Sequence, residues 1–362
     1  MRKLARAVRL SAIGQGTPAH RHNVPGRSAL RTAVALAAIG AFVASAAARN
    51  QTEKTKSQPM HQAPPYWAFV EDPPVHKSAA PSKPADQDVL QHVPGSQGAF
   101  TLRQINDGFT PPDWHPDGHP PMPEIVAHGR RPDVWACGYC HLPNGQGRPE
   151  NASLAGLPAA YIVQQVADFK NGLRKSSKTT APFSAMITEA TKATPEEVKT
   201  AARYFSQLKP KPWIRVVETK TVVKTQAKDW MLLPVAGAGT EPIGQRIIET
   251  PENVERTELR DDASGFIAYV PVGSVEKGKA LVTTGDAGKT LPCAMCHGPD
   301  LRGQANVPTI AGRSPSFIVR ELYDFRSGAR AGPDAQLMKP VTAKLTVEDM
   351  IWIAAYLATL HP

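Results

Sequence analysis

The feature that most constrains this 362-residue chain is the placement of its four cysteines. They fall as Cys137-Gly138-Tyr139-Cys140-His141 and Cys293-Ala294-Met295-Cys296-His297. Thiols three positions apart lie about one helical turn apart, and in both cases histidine follows at once. C-x-x-C-H is the attachment pattern of c-type haem. The two thiols add to the vinyl groups on one edge of the macrocycle, and the histidine lies beneath the iron as its proximal ligand. Other uses of cysteine fit less well. Disulfides are common in exported proteins, but a disulfide, like a redox dithiol, has no reason for a histidine after each pair. A zinc site gathers four ligands at one point, whereas here each pair brings its own histidine and no cysteine is left over. Cys137, Cys140, Cys293 and Cys296 are therefore the expected attachment points. His141 and His297 are the expected iron ligands of two covalently bound c-type haems.

The two motifs belong to an internal repeat. Leu154-Ala155-Gly156, Tyr161-Ile162-Val163 and Asp168-Phe169-Lys170-Asn171-Gly172-Leu173-Arg174 return as Ile310-Ala311-Gly312, Phe317-Ile318-Val319 and Asp324-Phe325-Arg326-Ser327-Gly328-Ala329-Arg330, always 156 positions on. Beyond the arginine the offset becomes 152, which pairs Met186 with Met338 and Tyr204 with Tyr356. Each copy is expected to end in an amphipathic helix. Thr194 caps the first, with proline and two glutamates in its opening turn. The second runs from Thr346 to about Leu360, with Ile351, Ala354, Ala355 and Ala358 on one face.

An iron that only carries electrons needs a second axial ligand, and methionine opposite histidine raises the potential. Met186 and Met338 are the candidates, because both precede the terminal helix and both survive the repeat alignment. Isolated methionines usually just fill gaps in a core. Met350 competes in the second copy, but it lies inside the helix and has no counterpart in the first.

Around residues 125–210 and 275–362 the chain resembles the class I cytochromes c in their tandem dihaem form. The resemblance rests on both C-x-x-C-H motifs, the Ala-Gly segments, the Phe-Lys-Asn-Gly and Phe-Arg-Ser-Gly segments, and a late methionine before a helix. It implies a mainly α protein: two cytochrome c-like helical domains, each wrapped round one haem, with irregular proline-rich connections. It implies Cys137, Cys140, His141 and Met186 at one site and Cys293, Cys296, His297 and Met338 at the other. Arg174 and Arg330 would either pair with haem propionates or remain solvated.

The rest divides the chain into residues 1–48, 49–124, 125–210 (first domain), 211–275 (inter-domain insert) and 276–362 (second domain). Ala33 to Ala48 is an uncharged run after Arg27 and Arg31. It reads as a secretory signal, or as an N-terminal anchor, although 16 residues is short for a bilayer span. Either reading exports the chain to the periplasm. The formal charge of +10 is largely a property of residues 1–48, whose seven basic residues face no acidic ones. Without it, 35 basic residues stand against 32 acidic, so nucleic acid is not an expected partner. Residues 49–124 read as a proline-rich linker or extension, with His115 and His119 more readily ordinary polar residues than metal ligands. In the insert, Val216-Val217, Val222-Val223 and Phe266-Ile267-Ala268-Tyr269-Val270 suggest short strands. The expected role is one-electron transfer, without catalysis, between redox partners such as a dehydrogenase, an oxidase or another cytochrome. The alternatives are a dihaem peroxidase, which needs one open iron, and the cytochrome subunit of a dehydrogenase.

Overall fold

The computed structural model describes residues 63–72 and 87–362. The expected signal or anchor over 1–48, and residues 49–62 and 73–86 of the following linker, lie outside the described residues. The described residues fall within one compact unit, Pro59–Pro362.

Residues 87–124 depart from the linker expectation. They form a two-residue hairpin of β1 (Leu90–Gln91) and β2 (Phe100–Thr101), a one-turn helix α1 (Leu102–Ile105), and α2 (Glu124–Ala127). Val93, Ile105 and Trp114 make a small buried cluster with Leu259 of the insert. The Trp114 indole donates to the Leu259 carbonyl at 2.8 Å. The prolines rule out long helices but do not prevent burial, because their fixed backbone costs little entropy to order.

The first repeat copy carries α3 (Cys137–His141), α4 (Ala159–Lys170), α5 (Ala181–Lys192) and α6 (Pro195–Gln207). In α6 the Thr194 hydroxyl accepts from the Glu197 N–H while Glu197 returns to the Thr194 N–H, a full capping box. Helix α4 packs on α5 and α6, over a core that includes Ile162, Ala202, Phe205 and Leu208.

The insert is mostly β: β3 (Ile214–Thr219), β4 (Thr221–Val223), β5 (Thr225–Lys228), β6 (Met231–Pro234), β7 (Thr240–Pro242) and β8 (Ile248–Pro251), then a short α7 (Val254–Glu258) and β9 (Phe266–Pro271). Strand β9 is the centre of a three-stranded sheet, parallel to β3 and antiparallel to β8. Alternate β9 residues Phe266, Ala268 and Val270 are buried, as the period of a one-face-buried strand requires.

The second copy carries α8 (Ser274–Thr284), α9 (Ala294–His297), α10 (Pro315–Ser327), α11 (Lys339–Thr342) and α12 (Val347–Thr359). Helix α12 packs on α8, α10 and β3. Its buried residues therefore spread well beyond the expected face, adding Met350, Ile353 and Leu357, and leave only the side of Glu348, Trp352, Tyr356 and Thr359 less covered. Gly278 lets α8 approach this closely, since a Cβ there would run into the Trp352 carbonyl oxygen. The first copy has no counterpart of α8. The matching stretch holds Pro116, Pro120, Pro121 and Pro123 and supports only a 3-10 turn and α2.

Candidate haem centres

Each cysteine motif forms the short helix expected of it. All four cysteines are free of disulfides. Burial pushes the Cys137 thiol up to about 12, and the Cys140 and Cys293 thiols up to about 11, so these groups stand as thiols rather than thiolates at neutral pH. The loop after each motif repeats bond for bond. Gly147 N–H donates to the His141 carbonyl at 2.9 Å, and Gly303 N–H to the His297 carbonyl at 2.8 Å. Leu154 and Ala155 N–H groups both close on the Gly145 carbonyl, as Ile310 and Ala311 do on that of Leu301. Gly156 N–H reaches the Phe205 carbonyl, and Gly312 N–H that of Leu357, joining each loop to its terminal helix. The residue after each histidine has left-handed φ: Gly298 (82°) in the second copy and Leu142 (61°) in the first. The first copy thus holds a leucine where glycine would be unstrained, and its side chain is buried.

The histidines show whether these residues suit a haem. His141 Nδ1–H donates to the Ala152 carbonyl at 2.8 Å, and His297 Nδ1–H donates to the Pro308 carbonyl at 2.8 Å. A hydrogen bond at Nδ1 fixes the tautomer and ring direction and leaves the Nε2 lone pair for a metal. Burial holds both imidazoles below the usual histidine range, against the opposing pull of the carbonyls, so both are neutral and able to ligate. Two thiols, one turn apart, beside a neutral imidazole tied at its far nitrogen, fit a covalently attached haem in both copies.

The methionine positions differ in local structure. Met186 lies within α5, and Met338 ends a 3-10 turn, Asp334–Met338, that runs into α11. This change from helix to tighter turn coincides with the drop in offset from 156 to 152. Both methionines are half-buried, and Met338 packs against the second core, as Cys293 and Ala294 also do. Met350 is wholly buried in that core.

Arg174 and Arg330 are not solvated. They pair with each other in an antiparallel bridge, flanked by Lys175 N–H to Ala329 O and Ala331 N–H to Leu173 O. Residues equivalent in the repeat thus meet across a local two-fold axis. The side chains obey the same symmetry. Arg174 donates to Gln165 (2.9 Å) and Glu321 (3.0 Å), and Arg330 donates to Glu321 and to Gln165 (2.6 Å). Gln165 and Glu321 are themselves 156 positions apart. Both arginines are buried. Sequence reasoning singled out the arginines but not this pairing. The signal available was the recurrence of arginine at the same place in both copies, with an acceptor side chain, Gln165 or Glu321, nine positions earlier in each.

The insert was also missed as part of a site. Arg260 donates to the carbonyl of Tyr139, between the first two cysteines, at 2.9 Å, and its guanidinium lies 3.7 Å from the Tyr139 ring centre. Asn144 and Gln146 donate to Asp262 and Ser264 carbonyls, and buried Arg148 to that of Thr257. Glu249 of β8 accepts from Ser316 N–H and the Ser314 hydroxyl at the start of α10, where a carboxylate suits the helix dipole. The insert therefore grips the first motif and the second domain together. Among the described residues no such hydrogen bond from the insert reaches the second motif, where Met295 is 65% exposed.

A family model described as cytochrome c matches residues 275–361. The chain is 26% identical over 232 residues to a thiosulfate dehydrogenase electron acceptor of Thiomonas intermedia (strain K12), covering 63% of this chain and 79% of the relative. It is 32% identical over 142 residues to a cytochrome c4 of Azotobacter vinelandii, covering 34% of this chain and 68% of the relative. Among solved structures, the thiosulfate dehydrogenase from Marichromatium purpuratum aligns with a TM-score of 0.44 at 24% identity. That alignment covers 65% of this chain and 39% of the other.

Proposed function

This chain belongs to the class I c-type cytochromes, which are electron-transfer proteins, and we propose that it is an exported dihaem carrier with one haem on each repeat copy. In this reading Cys137 and Cys140 attach the first haem, and His141 and Met186 ligate its iron. Cys293 and Cys296 attach the second, with His297 and Met338 as iron ligands. Each bound haem would supply a one-electron couple at its iron. The chain's own residues orient the ligands, exclude water and hold the two domains in register. The observation that carries the reading is the pair of histidines, each tied at Nδ1 to a carbonyl eleven residues on. The Arg174–Arg330 contact supports a fixed arrangement of the two domains, as serial one-electron exchange requires.

The test is an optical spectrum of the reduced protein before and after carbon monoxide. An unchanged spectrum is expected, because two methionine ligands close both irons. A prompt shift at one haem would overturn the carrier reading in favour of peroxidase or sensor chemistry. Met186→Ala and Met338→Ala are each expected to lower one midpoint potential by on the order of 100 mV while both haems stay attached. If Met350→Ala shifted a potential and Met338→Ala did not, the second assignment would be wrong.

The partner is proposed to be a dehydrogenase, since the Thiomonas relative is named as the electron acceptor of one. Catalysis then lies on the other protein. Export to the periplasm is supported by the apolar run over 33–48. No helix among the described residues is long and apolar enough to cross a membrane. Electrons are proposed to enter or leave at the second domain. Leu291 just before its motif and Met295 within it are exposed, as is Leu337 beside the proposed ligand Met338, and the Thr290 hydroxyl ties the segment before the motif to the Val341 carbonyl at 2.7 Å. Leu337→Ser and Met295→Ser, which remove apolar contact without adding charge beside the haem, are each expected to slow exchange with the partner about tenfold while both haems stay attached. Unchanged rates would place the docking face elsewhere.

A further inference from the structure

Away from the cysteine motifs, His115, Asp261 and Asp262 bring three ligand atoms together, all within 4.8 Å of one another. His115 Nε2 is 2.9 Å from Asp261 Oδ1 and 4.0 Å from Asp262 Oδ1. The parts are held from outside. Trp114, next to His115, is anchored to the Leu259 carbonyl. Asp261 Oδ1 also accepts from the Ala263 N–H at 2.9 Å, and Oδ2 accepts from Arg256 Nε at 2.6 Å. The Asp262 carbonyl accepts from Asn144. One oxygen has no such support. The Asp262 side chain is 4% exposed, and its Oδ1, which faces the cluster, is buried without a hydrogen-bond partner. A buried carboxylate oxygen left unpaired is costly, and a second carboxylate beside it adds repulsion.

We propose that His115, Asp261 and Asp262 form a site for one divalent transition cation of the zinc type, separate from the haem centres. The donor set selects the class. An imidazole nitrogen with two carboxylates suits zinc and its neighbours, whereas calcium and magnesium take oxygen ligands. The spacing agrees, because donors about 2.0–2.1 Å from a tetrahedral zinc lie roughly 3.3 Å apart, between the two distances seen. Arg256 and Ala263 supply the outer hydrogen bonds that fix a ligating carboxylate. His115 is 22% exposed, which leaves a route from solvent and a position for water. His119 is not part of the set. Its Nε2 is committed to Asp113 at 3.1 Å and its Nδ1 to the Pro120 carbonyl at 2.9 Å. The cation would pin the proline-rich segment to the insert and, through Asn144, to the loop that follows His141.

The test uses the tag-free, haem-loaded protein, stripped with a chelator and titrated calorimetrically with zinc chloride, with thermal unfolding as a second readout. One equivalent is expected to bind and to raise the unfolding temperature. Asp262→Asn and His115→Gln should each weaken binding at least tenfold with both haem spectra unchanged. His361→Ala, at the exposed C-terminus, should bind as the parent does. Absence of stoichiometric binding, or undiminished binding in both site variants, overturns the proposal.

Discussion

His141→Ala is expected to yield a protein with one normally ligated haem instead of two, and that haem will be in the second domain. The substitution removes the Nε2 donor that the Ala152 carbonyl orients. It also removes the ring that packs edge-on against Phe205 at 6.0 Å between centres. Outer hydrogen bonds of this kind are worth about 10–100-fold in ligand affinity alone, and losing the ligand itself costs more. The second motif should mature normally. Its loop closes on α12 through Gly312 and Leu357, and its histidine is tied within its own copy. His297→Ala should give the reciprocal result. Intact mass and the haem-to-protein ratio measure both, and two normally ligated haems in either variant would remove the proximal assignment.

Glu321→Ala is expected to cost about 3–5 kcal/mol, because it leaves two buried guanidinium groups without their shared anion. That corresponds to a fall in melting temperature on the order of 10 °C. Glu321→Gln keeps the shape and an acceptor oxygen and should cost less, which separates charge from packing. The wild type should show the same link with acid. Burial pushes the Glu321 carboxyl up, but Arg174 and Arg330 outweigh it and hold the group below the ordinary glutamate range. Its folded value is therefore below its unfolded value of about 4.3. Its contribution is fully present above that pH and is lost as the pH falls through the folded value. Glu321→Ala should accordingly flatten the acid limb of the stability profile. An acid limb as steep as the wild type's would show that the network does not bear on stability.

Much of this molecule was legible because its chemistry is local. Cysteines three apart with histidine next need only a helical turn, and the turn formed in both copies. Thr194 with Glu197 and Thr346 with Asp349 close their capping boxes within four residues, so their spacing announces the helix starts. The strands over Val216-Val217 and Phe266–Val270 followed from β-branched and aromatic residues. The first domain was less legible. Its terminal helix and motif were expected, but α5 was not, and the prolines between 116 and 123 replace the helix that opens the second copy.

By itself the sequence carried the c-type haem motifs and the starts of the two terminal helices, which depend on residues within a turn or two of one another, and the duplication, which shows as a constant offset between the copies. Only the tertiary structure decided what the insert and the two arginines do. Arg260 reaches Tyr139 across 121 positions, Glu249 reaches Ser316 across 67, and Arg330 reaches Gln165 across 165. Hydrogen bonds over such separations leave no period or spacing in the chain. A buried arginine and a solvated one are spelled alike, and only the fold supplies the partner that makes burial tolerable.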